Sequence, residues 1–87
     1  MPKTSFFAFD NAIQAIGETL AAWQRHRDWD DDRIGVVLHI SGHTWHRRKK
    51  TPKNLTIEEI WRAMNALKIP HEEAVAVLTA GLDSGRR

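Results

Sequence analysis

Apolar residues recur at steps of three and four along most of this chain. Phe6, Phe9, Ile13, Ile16, Leu20 and Trp23 fall on one helical face. That spacing predicts a first helix over about residues 9 to 26, with Asp10 or Ser5 as its cap. Arg25, His26 and Arg27 suit its negative C-terminal end. The apolar stripe, Trp23 included, is expected to be core.

A second helix is expected to start at the run Asp28, Asp30, Asp31, Asp32, because aspartates cap free N–H groups and favour the helix dipole. Trp29, just ahead of this cap, is a candidate staple for it. The β-branched Ile34, Val36, Val37 and Ile40 also fit a short strand. A strand needs a partner, however, and no other segment alternates.

Ser41 then reads as the N-cap of a third helix. Its one large apolar residue, Trp45, should point inward, and a rotation of about 100° per residue leaves Gly42, His43, His46 and Arg47 outside. Leu55 to Ile60 fits a capping box, with Thr56 as N-cap, Glu59 at N3 and a Leu55–Ile60 staple. Ile57, Ile60, Trp61, Met64 and Leu67 carry that fourth helix's apolar face to about Lys68. Pro70 stops it and is placed at the first position of a fifth helix running to Ala80, with Ala74, Val75 and Leu78 buried. Gly81 is its expected stop and residues 83 to 87 a frayed tail. Five short helices with brief links imply one compact all-α domain over residues 1–87, its ordered core at about 6–82.

Composition narrows the classes. At 87 residues, 41% hydrophobic and with four Trp, the chain holds one core and should fold. The absence of Cys excludes disulfides and thiolate metal sites. No run approaches the ~20 apolar residues that span a bilayer, and the first residues carry no signal-peptide pattern. A cytoplasmic location is expected. Neither a Gly-rich phosphate loop nor a nucleophile constellation is present, so no enzyme is expected.

The net charge of +2 matters less than its distribution. Asp28 to Asp32 precede the apolar stretch at Ile34, and Arg47, Arg48, Lys49, Lys50 and Lys53 follow it. A basic run of this kind is often only a solvated helix end, and Arg48 has Glu58 or Glu59 as an alternative partner. His39, His43 and His46 fall at i, i+4 and i+7, but three His without further ligands seldom close a site, so no metal or cofactor is expected. An imidazole of His43 or His46 would suit a pH-dependent contact better.

The stretch Ile34-Gly35-x-x-Leu38-x-Ile40-Ser41-x-x-Thr44-Trp45 resembles the helix-turn-helix of the lambda-repressor and Cro-like family. The basic loop with Pro52, followed by LTIEEIWRAMNALKIP, looks like that family's fourth helix. The resemblance covers about residues 9 to 80. It implies a lambda-repressor-like domain that reads double-stranded DNA as a transcriptional regulator of phage or prophage type. Gly35 fits the small site where two helices cross. By the same resemblance Gly42, His43, Thr44 and Arg47, on a helix over 42–49, would face the base edges. Arg47 is also the first choice on chemistry, since Arg is the commonest reader of guanine. Ser41, His46, Arg48, Lys49, Lys50 and Lys53 would meet phosphates.

Two positions depart from the pattern. His39 stands where a left-handed Gly is usual, and Asp30 and Asp31 lie where an uncharged polar residue is common. One such helix reads a half-site, so a homodimer is expected, with the Phe6-Phe7 arm and the Val77 side of helix 5 as candidate surfaces. The alternative is a protein-binding module on the same fold, an antirepressor or antitoxin-type partner of a regulatory protein, using the acidic patch 28–32.

Overall fold

The computed structural model describes the backbone of residues 2–84 and the side chains of residues 9–82. Within them the chain is all-α: α1 (Pro2–His26), α2 (Asp31–Leu38), α3 (Gly42–Lys50), a single 3-10 turn (Pro52–Asn54), α4 (Ile57–Ala66) and α5 (His71–Ser84). The Asp-led segment is helix, because Asp30 accepts from Arg33 N–H at 2.8 Å and caps it. Phe6 and Phe7, proposed above as a dimer arm, have side chains outside the described set.

Helix ends differ from expectation where tertiary packing intervenes. α1 starts at Pro2, so Ser5 and Asp10 lie inside it rather than capping it. α4 stops at Ala66. Pro70 stands just ahead of α5, its carbonyl accepting from Ala74 N–H at 2.9 Å. Gly81 does not end α5, which continues to Ser84 with Gly81 over Ala12 and Phe9 of α1.

Three helices close in one way. After α1, Trp29 N–H reaches back to Gln24 C=O at 3.0 Å and Asp28 N–H to Arg25 C=O at 3.1 Å. The same pair of bonds runs from Ile40 and His39 to Gly35 and Val36 (2.9 and 3.3 Å) after α2, and from Ile69 and Lys68 to Met64 and Asn65 (3.1 and 3.2 Å) after α4. Each is a Schellman closure, which requires a left-handed residue. None of the three is Gly: Asp28, His39 and Lys68 have φ of 60°, 62° and 54°.

Leu20, Ile34, Leu38, Trp45, Leu55, Ile60, Ala63, Met64, Leu67 and Ile69 form the core. The capping box of α4 is complete, with Thr56 and Glu59 exchanging 3.0 Å bonds, and the stapling pair Leu55 and Ile60 is buried. Trp23 and Trp29 pack partly against this core. Trp61 does not, being 57% exposed together with Ile57 at 57%. Positions 57 and 61 lie at the edge of the α4 face that turns Ile60, Ala63, Met64 and Leu67 inward, and α5, which packs on α1, does not cover that edge. Arg27 ties α1 to α4 by donating to the carbonyls of Leu67 (2.8 Å) and Lys68 (3.1 Å), a cation at a helix C-terminus.

Candidate nucleic-acid interface

α2 and α3 meet across a three-residue turn, His39 to Ser41, and the residues at the crossing have no room to grow. A Cβ on Gly35 would lie 2.5 Å from the Ile40 carbonyl and 3.0 Å from Gly42 N. One on Gly42 would overlap the Asp32 carboxylate. Ser41 Oγ accepts from Thr44 N–H at 3.0 Å and donates to Thr44 Oγ1 at 2.9 Å, which starts α3.

Trp45, fully buried, pins α3 to the core. Its indole Nε1 donates at 2.9 Å to Oε1 of Gln24, a polar residue of α1 that is only 6% exposed. The same oxygen accepts from Lys49 Nζ at 3.2 Å. On its other side Gln24 Nε2 donates to the Trp29 carbonyl (3.1 Å) and to Asp31 Oδ1 (2.9 Å), and Lys49 Nζ closes the ring on Asp31 at 2.8 Å. One amide therefore bonds to the turn after α1, the start of α2 and the middle and end of α3. Every polar atom of this buried group is partnered, the condition under which such a network rigidifies a fold.

Asp31 is the group whose protonation this network changes. Partial burial works to raise its pKa, but hydrogen bonds from Lys49 and Gln24, with the charges of Lys49 and His46, outweigh it and hold the carboxyl below its ordinary value near 3.8. His46 Nδ1 lies 3.3 Å from the second Asp31 oxygen.

The outer surface of α3 carries His43, Arg47 and Lys50, all exposed and spaced four and three residues apart, hence on one face. An open cleft of about 580 Å³ follows, lined by Arg47, Arg48, Lys50, Thr51 and Asn54. Lys53 is also exposed. Flanking the N-terminal half of α3 is an acidic cleft of about 390 Å³, formed by Asp30, Asp31, Asp32, Gly42, His43 and His46. The exposed surface along α3 thus runs from acidic to basic.

The residues singled out from sequence separate into two groups. His43, Arg47, Lys50 and Lys53 are free of side-chain partners within the described residues and face solvent together or beside the cleft. The others are engaged in the fold. Gly42 is buried against α2 and offers no surface to a base edge, because the crossing of α2 and α3 requires a residue without a side chain there. Thr44 is half-buried and bonded to Ser41, whose hydroxyl is taken up by the cap. Lys49, 17% exposed, is held by Asp31 and Gln24 rather than turned to solvent. Arg48 is bound to Glu59 of α4 at 2.6 Å. His46 is exposed but turned to Asp31. His39 occupies the left-handed turn, and among the described residues no three His, Cys, Asp or Glu converge on a metal position.

Gln24 escaped the sequence reading, although a polar residue four places after Leu20 on a mostly apolar stripe was its signal. Thr51 and Asn54, which complete the basic cleft, carried none beyond their place in a polar loop.

Comparison with protein-family models, with curated proteins and with solved structures finds no match for this chain. The class defined by the fold and surface is an all-α domain with a helix-turn-helix unit and a basic, solvent-facing helix. No helix among the described residues is long and apolar enough to cross a membrane.

Proposed function

We propose that this chain is a sequence-specific, double-stranded DNA-binding transcriptional regulator of lambda-repressor and Cro-like type, acting in the cytoplasm of a bacterial or phage-infected cell as a homodimer. One observation carries the reading: α3 presents His43, Arg47 and Lys50 on one exposed face while its opposite face is fixed by Trp45. A major groove ~12 Å wide accepts one helix, and side chains at this spacing reach successive base edges. Arg47 and His43 are the readers. Lys53, and Lys50 with the cleft it shares with Arg47, Arg48, Thr51 and Asn54, bind phosphate, which sets register without carrying sequence information.

The aspartates ahead of α3 are compatible with this role because most of them are occupied. Asp30 caps α2, and Asp31 is paired with Lys49 and faces His46. The same occupancy leaves chiefly Asp28 and Asp32 for the alternative, a regulatory protein docking on patch 28–32.

Selection of binding sites from random duplex DNA tests the proposal. The expected result is a two-fold symmetric motif whose half-sites lie about one helical turn apart, bound with an affinity that falls steeply as salt rises. Recovery of no motif, with binding indifferent to sequence, overturns it and leaves the protein-partner reading.

A further inference from the structure

The linker Leu67 to Pro70 joins α4 to α5, but α5 packs on α1 rather than on α4. The two arms splay and leave between them an apolar cleft of about 200 Å³, lined by Trp61, Met64, Asn65, His71, Ala74, Val75 and Leu78. Trp61 stands at its mouth, 57% exposed, and Val75 opposite it is 43% exposed. Along the two arms the apolar surface continues through Ile57, one turn before Trp61, and Leu82, two turns after Val75. Nothing in the described fold covers this crescent, whereas the expected dimer surface at Val77 is packed against the core.

We propose that the α4–α5 crescent is the surface on which a second copy of this chain docks, as an isologous two-fold dimer centred near Trp61. This rests on the DNA-binding reading, which calls for two reading helices, and three further observations favour the same occupant. The first is area. With ~150–250 Å² for an aromatic side chain, the exposed parts of Trp61, Ile57, Val75 and Leu82 come to ~300–400 Å² per copy. At an apolar share of ~65%, two such faces correspond to ~1,000 Å² of buried surface, about the threshold of a specific interface. The second is charge: Glu58 and Arg62, bonded at 2.8 Å, run along one edge of the face that presents Trp61. An antiparallel pairing of α4 with its copy sets Glu58 of one against Arg62 of the other, a rim complementary to itself. The third is placement. Glu59 faces Arg48 of α3, and Trp61, two residues on, points to the other side of α4, so docking leaves α3 uncovered.

Sedimentation equilibrium of the full chain, without DNA and across 1–300 µM, is the test. A monomer–dimer equilibrium is expected, with Trp61→Glu and, from the other arm, Val75→Asp each weakening it at least ~30-fold, the loss typical of a hot-spot residue. Both positions are exposed, and circular dichroism should show unchanged helicity. A charge swap, Glu58→Arg with Arg62→Glu, should retain the dimer, whereas Glu58→Arg alone should weaken it. A wild-type chain that stays monomeric throughout overturns the proposal, as does a dimer indifferent to both Trp61→Glu and Val75→Asp. Sequence-selective DNA binding by such a monomer would refute the interface alone. A Trp61-dependent dimer that selects no DNA would refute the DNA reading alone.

Discussion

Replacing His39 with Gly should stabilise the fold, although it deletes a side chain and fills nothing. His39 closes α2 with φ 62°, where its Cβ crowds the neighbouring carbonyl. A left-handed L-residue costs ~1–2 kcal/mol, toward the lower end for His, which visits this region more often than most residues. Gly removes that penalty but gives back ~0.5–1 kcal/mol through the larger freedom of the unfolded chain. The imidazole is exposed and makes no hydrogen bond among the described residues, so little else is lost. The net expectation is a gain of up to ~0.5 kcal/mol, or a Tm raised by up to ~2–4 °C in a domain this small. Thermal and urea unfolding of His39→Gly and His39→Ala would check it. His39→Ala removes the same imidazole but keeps the Cβ, so only His39→Gly should gain. Equal behaviour of the two, or a loss in His39→Gly, would show that the left-handed turn stores no appreciable strain.

Other outcomes follow from the network under α3. Gln24→Leu should cost at least ~1–3 kcal/mol, because the buried Trp45 indole loses its acceptor; adding Trp45→Phe should recover part of that in a denaturant-based cycle, and strict additivity would refute the coupling. Lys49→Met should alter acid stability. Asp31 has a lowered folded-state pKa, so its stabilising contribution is full above the unfolded carboxylate value and lost as pH falls through the folded one. Wild type should therefore lose stability relative to Lys49→Met below about pH 4, and parallel pH curves would sink the idea. In DNA binding, Arg47→Ala should erase ~1–3 kcal/mol of discrimination at one base pair. Lys50→Ala should instead weaken all sequences alike and reduce the salt slope by ~1, with the two phenotypes separated by titrations on matched and mismatched duplexes. Gly42→Ala should destabilise by ~1–3 kcal/mol through overpacking against Asp32, measured by thermal melting.

Local grammar was legible in the chain. Thr56 with Glu59, Ser41, the Asp run and the inward Trp45 depend on neighbours within a turn, and each stands where its spacing puts it. His39 was legible only through the family resemblance, which puts a left-handed residue at its position; Asp28 and Lys68, in the same conformation, carried no such signal. What failed to show was decided by partners far along the chain. Lys49 reads as one more cation in a basic run until α1 brings Gln24 beneath it, 25 residues away. Gly42 reads as a surface position until α2 crosses it. Trp61 has the periodicity of a core residue, and only the departure of α5 toward α1 leaves it outside. Gly81 carries the signature of a helix stop, yet contact with α1 keeps the helix going.

The seating of α3 has a consequence for the thermodynamics of recognition. Trp45, Gln24 and the Lys49–Asp31 pair hold this helix along its inner face, and Gly17 lies directly under the Lys49 carbonyl and Pro52. In the proposed complex such a reader has little freedom left to lose and little latitude to adapt. The duplex must conform to it, so base pairs that no side chain touches would be chosen by how cheaply they bend.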